Sequence, residues 1–584
     1  MIISLTLSLI LLLPQLVYAQ SLTRFEAGRI QEHINFLTSA KMAGRYPGSH
    51  GDSLAADFIV RSFSKAGLEL MFDNGFQPFS VATGVELQDG NKFYSCTDTA
   101  VLNRDFVPLS FSASGYSSGS VHFSGYGISV PGRWDDYEHT DVTGKWVMVL
   151  AGDPEPDKRD SDLIPHAGDR IKAITASDQG AIGLIVVKGI ATDRNDRLMP
   201  AFYDKSPSTA SIPVINITRY FADKLLTNTG YTIAGLEETM LTNGKPVGFP
   251  IPVQVAAQTV LKTRIESTFN VAGILHGYSN KPAVVIGAHY DHLGKGGVGS
   301  GSRMPDTIAV HPGADDNASG VAGLIELAKK LTTAGFPIPF DLIFIAFGAE
   351  EMGLVGSRYF VQNLPVPKSD IQLMINLDMI GRLSDCKSLS IGGTGTAIEL
   401  DSLITAAAQY SPLQLQRHPD GYGPSDHAAF YAASFPVLFF TTGAHVDYHT
   451  PFDTPDKTNS QGQAMVLDLV LGVIQQMSAL TTSLTFAESG APPRRMYGRS
   501  FKVTLGIIPD ITSSQNGLRV DGVRPDGPAG RAGIRKGDLI TALNGLPVGN
   551  IYEYMARLNT LAAGETAVVE LLRDGKAEIV LVQL

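Results

Sequence analysis

Apolar positions fall in short runs whose spacing changes along the chain. From about Thr268 to Thr485, strand-length runs at Ala283–Ile286, Asp341–Phe347, Leu373–Leu377, Leu389–Ile391 and Pro436–Thr441 alternate with stretches of helical period. In one such stretch Val321, Leu324, Ile325, Ala328 and Leu331 share a face, with Lys329 and Lys330 in the last turn and Gly335 beyond. Short apolar strands alternating with helices predict an α/β fold, an αβα sandwich around a mixed, mostly parallel sheet. Such sheets hold ligands at the carboxyl ends of their strands. Upstream, Arg29–Leu37 and Ala55–Phe63 read as helices joined by a glycine-rich turn from Gly44 to Gly51.

Elsewhere the rhythm differs. Strands at Val121–Tyr126, Trp146–Leu150, Ala181–Val187 and Pro213–Ile217, with one helix at Arg170–Asp178, predict a separate β-rich domain. After Ala487 the string ESGAPPRRMYG reads as a linker. The remainder forms its own glycine-punctuated domain, with a tight turn at Asn544-Gly545 and a helix near Ile551–Leu558. At the other end, MIISLTLSLILLLPQLVYA is an apolar run closing on Val17-Tyr18-Ala19, which predicts a signal peptide cleaved after Ala19. The expected layout is signal peptide 1–19, core 20–99, insertion 100–250, core 251–487, linker 488–499 and C-terminal domain 500–584. At 584 residues, several domains are what one core's size limit demands.

Composition narrows the partners. A net charge of -11, without a basic patch interleaved with aromatics, excludes a nucleic-acid reading. No later apolar run reaches the ~20 residues of a membrane span, so none is expected in the mature chain. The signal peptide implies an exported protein, periplasmic or secreted. Cys96 and Cys386 are the two cysteines, and their distance in sequence leaves pairing open. The sequon Asn216-Ile217-Thr218 lies in strand-like context, where chance explains it.

The candidate chemistry sits beside the apolar runs. His289 and Asp291 stand just past the strand ending at Ile286, and Asp315, Asp316 and Asn317 directly precede the helix of Val321. Imidazole and carboxylate at a strand end, facing a carboxylate at a helix start, describe a divalent metal site. Oxygen and nitrogen donors without thiolate suit zinc, with manganese or cobalt as alternatives. Glu350 and Glu351 follow the apolar Leu342–Phe347 rather than lying on a solvated face. Asp378 follows Met374–Leu377, where an unpaired carboxylate would be costly.

Five blocks together resemble a known family. They are His289-Tyr290-Asp291, D-D-N-A-S-G at Asp315–Gly320, G-A-E-E-M-G-L-x-G-S at Gly348–Ser357, N-L-D-M-I-G at Asn376–Gly381, and Y-H-T-P-x-D-T at Tyr448–Thr454. Order and content are similar to the two-zinc exopeptidases that include bacterial leucyl aminopeptidases, glutamate carboxypeptidase II and glutaminyl cyclases. The resemblance implies two zinc ions, one held by His289, Asp316 and Asp378, the other by Asp316, Glu351 and His449. Asp316 would bridge them, with Asp315 the runner-up, and a cis peptide would follow at Asp316-Asn317. It further implies Glu350 as general base for a metal-bridged hydroxide, Tyr448 as oxyanion donor and Asp291 as the carboxylate orienting His289. Asp453 would orient His449. His427 would line the cleft, while His292 and His311 read as ordinary polar residues.

The string GYG…DDY…DVTGKWVMVL…KAITASDQGAIGLIVV…IPVINI is similar to a protease-associated domain, expected to act as a lid or selector without catalytic residues. The last ninety residues are similar to a PDZ domain, which would bind an extended peptide or C-terminal tail beside Leu505-Gly506-Ile507-Ile508. Peptides are therefore the expected partners. An aminopeptidase is the leading expectation, a glutamate-type carboxypeptidase or dipeptidase the alternative on the same ligands, and a PDZ-bearing scaffold with an inactive core the non-enzyme alternative.

Overall fold

The structure, a computed structural model, describes residues 25–158, 160–199, 203–205, 208–333, 335, 337–489, 503–509, 517–523 and 527–584. The expected signal peptide and the linker from 490 onward lie outside them. The chain divides into two units. One joins residues up to Val81 with Glu266–Ala491, the other Ala82–Ile265 with Pro492–Leu584.

The first unit is built on a nine-stranded sheet. Its strands are β1 (Glu69–Leu70), β2 (Phe76–Leu87), β3 (Leu261–Leu275), β4 (Lys281–His289), β5 (Phe340–Phe347), β6 (Ile371–Leu377), β7 (Ser388–Gly392), β8 (Gln414–Arg417) and β9 (Val437–Thr441). Their order is β1-β3-β5-β4-β6-β9-β7-β8, with β2 beside β3. The central four, β5, β4, β6 and β9, are parallel, while β3 and β7 run antiparallel to their inner neighbours.

Alternation along β4 explains why its run is apolar throughout. Val284, Ile286 and Ala288 face one side with Phe344 and Ile375, packed by helices α1 (Ala27–Leu37), α2 (His50–Ala66), α3 (Gly320–Thr333) and α7 (Ser460–Ser478). Val285 faces the other with Ile343, Ile345 and Met374, covered by Phe360 of α4 (Val355–Gln362) and Phe430 of α6 (His427–Ala432). The two covered faces make the expected αβα sandwich. One further helix, α5 (Leu400–Ala407), packs on α7. Among the described residues no helix is long and apolar enough to cross a membrane.

In the second unit a seven-stranded sheet takes in Lys92–Ser95, Phe106–Pro108, Gly115–Ser124, Trp146–Leu150, Gly183–Val187, Val214–Ile217 and Gly248–Thr259. Asn216 is buried there and donates to Val186 O at 2.8 Å, so the sequon is not presented to solvent. The C-terminal residues form a six-stranded sheet in which Ile507–Pro509 lies at one edge, paired with Leu518–Val523. Its helix Ile551–Asn559 packs on Asp169–Asp178, where Arg557 engages both carboxylate oxygens of Asp178. Cys96 and Cys386 are both free and exposed.

Phe344 is fully buried at the centre of the first unit's sheet. Phe344→Ala should cost about 3–5 kcal/mol by denaturant titration of that unit's transition; a loss under about 1 kcal/mol would show that the site collapses around the void.

Candidate metal centre

The parallel strands deliver their following residues to one edge. His289 ends β4, Glu350 and Glu351 lie just past β5, and Asp378 directly follows β6. His289 Nε2 lies 3.3 Å from Asp316 Oδ1 and 3.5 Å from Asp378 Oδ1. The other oxygen of Asp316, Oδ2, lies 3.1 Å from His449 Nε2, which is also 3.2 Å from Glu351 Oε1. Asp316 therefore stands between two imidazoles, each with its own second carboxylate.

Separations near 3.3 Å are those expected between donors around an ion bonded at about 2.0–2.1 Å. Asp378 Oδ1 is buried without a hydrogen-bond donor, an arrangement that suits a cation and is costly otherwise. The donor set fits zinc.

Asp315 is turned away. Its Oδ1 accepts from Gly381 N at 2.7 Å and from Ser319 Oγ at 3.0 Å, and its Oδ2 faces His445 Nε2 at 3.4 Å. The peptide Asp316-Asn317 is cis. Asn317 links two of the donor-bearing loops, donating to Leu377 O at 2.9 Å and accepting from Met379 N. A Cβ on Gly320 would meet Leu377 O at 2.4 Å, which is why the block closes on glycine.

The loops are also held by groups outside the donor set. Asp291 Oδ1 and Oδ2 accept from the backbone N–H groups of Glu350 and Glu351 at 2.9 and 3.2 Å, and Oδ1 lies 3.7 Å from His289 Nδ1. Asp291 thus positions the two glutamates as well as facing the imidazole. Asp453 does not orient His449. Its Oδ2 accepts from Asp315 N and Asp316 N, and its Oδ1 from Arg382. The partner of His449 Nδ1 is the Gly301 carbonyl at 3.0 Å, in the glycine-rich loop after β4.

Arg45, in the early glycine-rich turn, is fully buried and donates to four carbonyls. They belong to Leu37, Tyr290 and Pro312, each at 2.7 Å, and to Gly313 at 3.0 Å. One guanidinium therefore ties α1 to the loops carrying His289 and Asp316.

Two further histidines depart from expectation, while a third, His311, is an ordinary hydrogen-bonded polar residue. His427 does not line a cleft: it is buried, stacked on Phe439 at 4.3 Å, and burial pushes it down to about 3. His311 is buried and fixed by Ser302 Oγ and Ala309 O. His292 is also fully buried, with Nδ1 2.9 Å from Glu351 Oε1. Nothing in its sequence surroundings marked it, because the carboxylate it meets arrives from a different strand.

Burial and neighbouring charge separate the adjacent glutamates. Burial raises Glu350 well above the ordinary carboxylate range, reinforced by Glu351 and Asp426 and opposed by His289. Burial would raise Glu351 too, but His449 and His292 hold it below that range. His449 is pushed up to about 11, since Glu351 and Asp316 outweigh the lowering effect of burial. Tyr448 stacks on His449 with ring centroids 3.9 Å apart; burial, then Asp316 and Glu351, raise its phenol.

Family models match two stretches of the chain. Residues 270–474 match the model of Peptidase family M28, and residues 503–584 that of the PDZ domain. The chain is 30% identical over 254 residues to leupeptin-inactivating enzyme 1 of Streptomyces exfoliatus, covering 39% of this chain and 54% of that protein. It is 25% identical over 381 residues to aminopeptidase YwaD of Bacillus subtilis, covering 62% of this chain and 69% of that one. It thus spans about half the length of the first relative, 54%. A solved aminopeptidase from Aneurinibacillus sp. strain AM-1 superposes with a TM-score of 0.50 at 23% identity, over 81% of this chain and 98% of that chain, which shows a shared fold.

Arg45→Lys should lower stability by about 3–5 kcal/mol, because an ammonium with three donors cannot serve four buried carbonyls. It should also weaken zinc retention, read by chelator competition. Wild-type retention in the variant would show that the guanidinium supports the fold without positioning the donor loops.

Proposed function

We propose that this chain, whose residues 270–474 match the model of Peptidase family M28, is an exported two-zinc aminopeptidase that removes N-terminal residues from peptides. The observation that carries this is the placement of Asp316, whose two oxygens face His289 and His449 separately. That supports one ion among His289, Asp316 and Asp378 and another among Asp316, Glu351 and His449. When bound, the ions supply Lewis acidity for the scissile carbonyl and a water of lowered pKa.

The remaining work belongs to side chains. Glu350, held by Asp291 and raised by burial, is suited to take a proton from the attacking water and return it to the leaving amine. Tyr448, kept protonated by burial and the carboxylates, is suited to donate to the oxyanion.

Two arginines near the donors are already engaged, Arg45 by four carbonyls and Arg382 by Asp447 and Asp453. Neither is available for a substrate's C-terminal carboxylate, whereas Arg303, exposed and bonded through its backbone N–H to His449 O at 2.9 Å, is not held in this way. The aminopeptidase reading is therefore supported by the relatives rather than by the arginines. The names of the two relatives agree in part: one is an aminopeptidase, the other a leupeptin-inactivating enzyme. The apolar run Ile2–Val17 supports export, and the insertion is assigned as a protease-associated domain with a selecting role.

The test compares aminoacyl chromogenic substrates with their N-blocked forms, with and without chelator. Free-amine substrates should be cleaved and chelator should abolish turnover; cleavage of blocked substrates alone would overturn the aminopeptidase reading. Glu350→Gln should lower kcat by about 10²–10⁴-fold while both zinc ions remain. Loss of one ion in that variant would reverse the roles of Glu350 and Glu351.

The PDZ edge at Ile507–Pro509 supports strand addition by an extended peptide. A chain ending near Glu488 should keep activity on a dipeptide and lose affinity for a ten-residue peptide. Equal loss on both would make the C-terminal domain a structural support.

A further inference from the structure

We propose that His292 is a fourth protein donor to the second metal position, joining Asp316, Glu351 and His449 through its Nδ1. The inference rests on the two-zinc reading above and adds a ligand to it.

His292 has no exposure, and among the described residues neither ring nitrogen makes a hydrogen bond of acceptable geometry. Yet Nδ1 is aimed into the donor cluster, 2.9 Å from Glu351 Oε1 and 3.8 Å from Asp316 Oδ2. His449 Nε2 approaches the same two oxygens at 3.2 and 3.1 Å. These four separations bracket the ~3.3 Å expected between donors around an ion bonded at about 2.0–2.1 Å. A ring nitrogen and a carboxylate oxygen this close can both direct lone pairs at one cation. Without that cation a fully buried, unsatisfied imidazole is destabilising. His292, Asp316 and Glu351 alone already satisfy the geometry of a metal-holding group, as do His289, Asp316 and Asp378.

The ring is locked in this orientation. His292 N donates to Arg45 O at 3.1 Å, and the ring lies on Gly313, where a Cβ would come within 2.6 Å of it. The ring of His449 stands across from it at 5.8 Å and 72°, so two imidazoles approach from different directions.

The consequence is asymmetry. The first position has three protein donors and the second has four, so the second should hold its ion more tightly and leave fewer positions for solvent or substrate. The exchangeable ion is then the one beside Asp378.

The full-length zinc protein tests this by metal content under stepwise chelator competition and by X-ray absorption counting of imidazoles. The wild type should show three imidazoles shared between two ions and lose the Asp378-side ion first. His292→Gln should keep one zinc and bind the other at least about 10–100-fold more weakly, the loss known for partners one shell further out. Two imidazoles for two ions in the wild type would overturn the assignment, as would unchanged affinity for both ions in a folded His292→Gln. The wild-type count decides by itself if the variant does not fold. A wild-type protein saturating at one zinc would overturn the two-zinc reading together with this inference, whereas two zincs with two imidazoles would overturn this inference alone.

Discussion

The constraint on which the site depends is the burial of many like charges at one sheet edge. Asp291, Asp316, Glu350, Glu351 and Asp378 converge where water screens them little, and the nearby imidazoles and the buried Arg45 guanidinium oppose their repulsion, as a bound divalent ion would. Such a cluster holds together only if its loops are fixed by bonds that do not depend on it. Those bonds are present. Asp291 accepts from the Glu350 and Glu351 backbone, Asn317 links the Asp316 and Asp378 loops, Asp453 accepts from the Asp315 and Asp316 backbone, and Arg45 ties the His289 loop to the Asp316 loop.

The same surroundings divide the labour of two adjacent glutamates. Glu351 meets two imidazoles and is favoured as a carboxylate, whereas burial, with neighbouring acids, outweighs His289 and favours Glu350 as a proton carrier. Identical side chains in sequence become a ligand candidate and a base candidate because they meet different neighbours.

Much of this was legible in the sequence, and for a definite reason. A strand covered on both faces is mostly apolar, so the first polar residue after it marks the strand's carboxyl end; His289 and Glu350 are found that way, whereas Asp378 lies two residues beyond the buried Asn376 that interrupts its own run. What was not legible depends on contacts between distant loops or on main-chain atoms. The Gly301 carbonyl behind His449 has no side-chain signature. Asp453 was assigned to the nearest histidine in sequence but serves a helix start 137 residues away. His292 and His427 are separated in role by what packs over them, Glu351 in one case and Phe439 in the other.

Arg45 also bears on the order in which the chain is made. Its contact with Tyr290 joins residues 245 positions apart, and its contacts with Pro312 and Gly313 reach further still. Arg45 is synthesised after the Leu37 carbonyl but well before the other three it meets, so those three contacts close long loops of chain. An early segment of the core is thus stitched to its middle, and pairing of this sequence separation is the kind that slows folding.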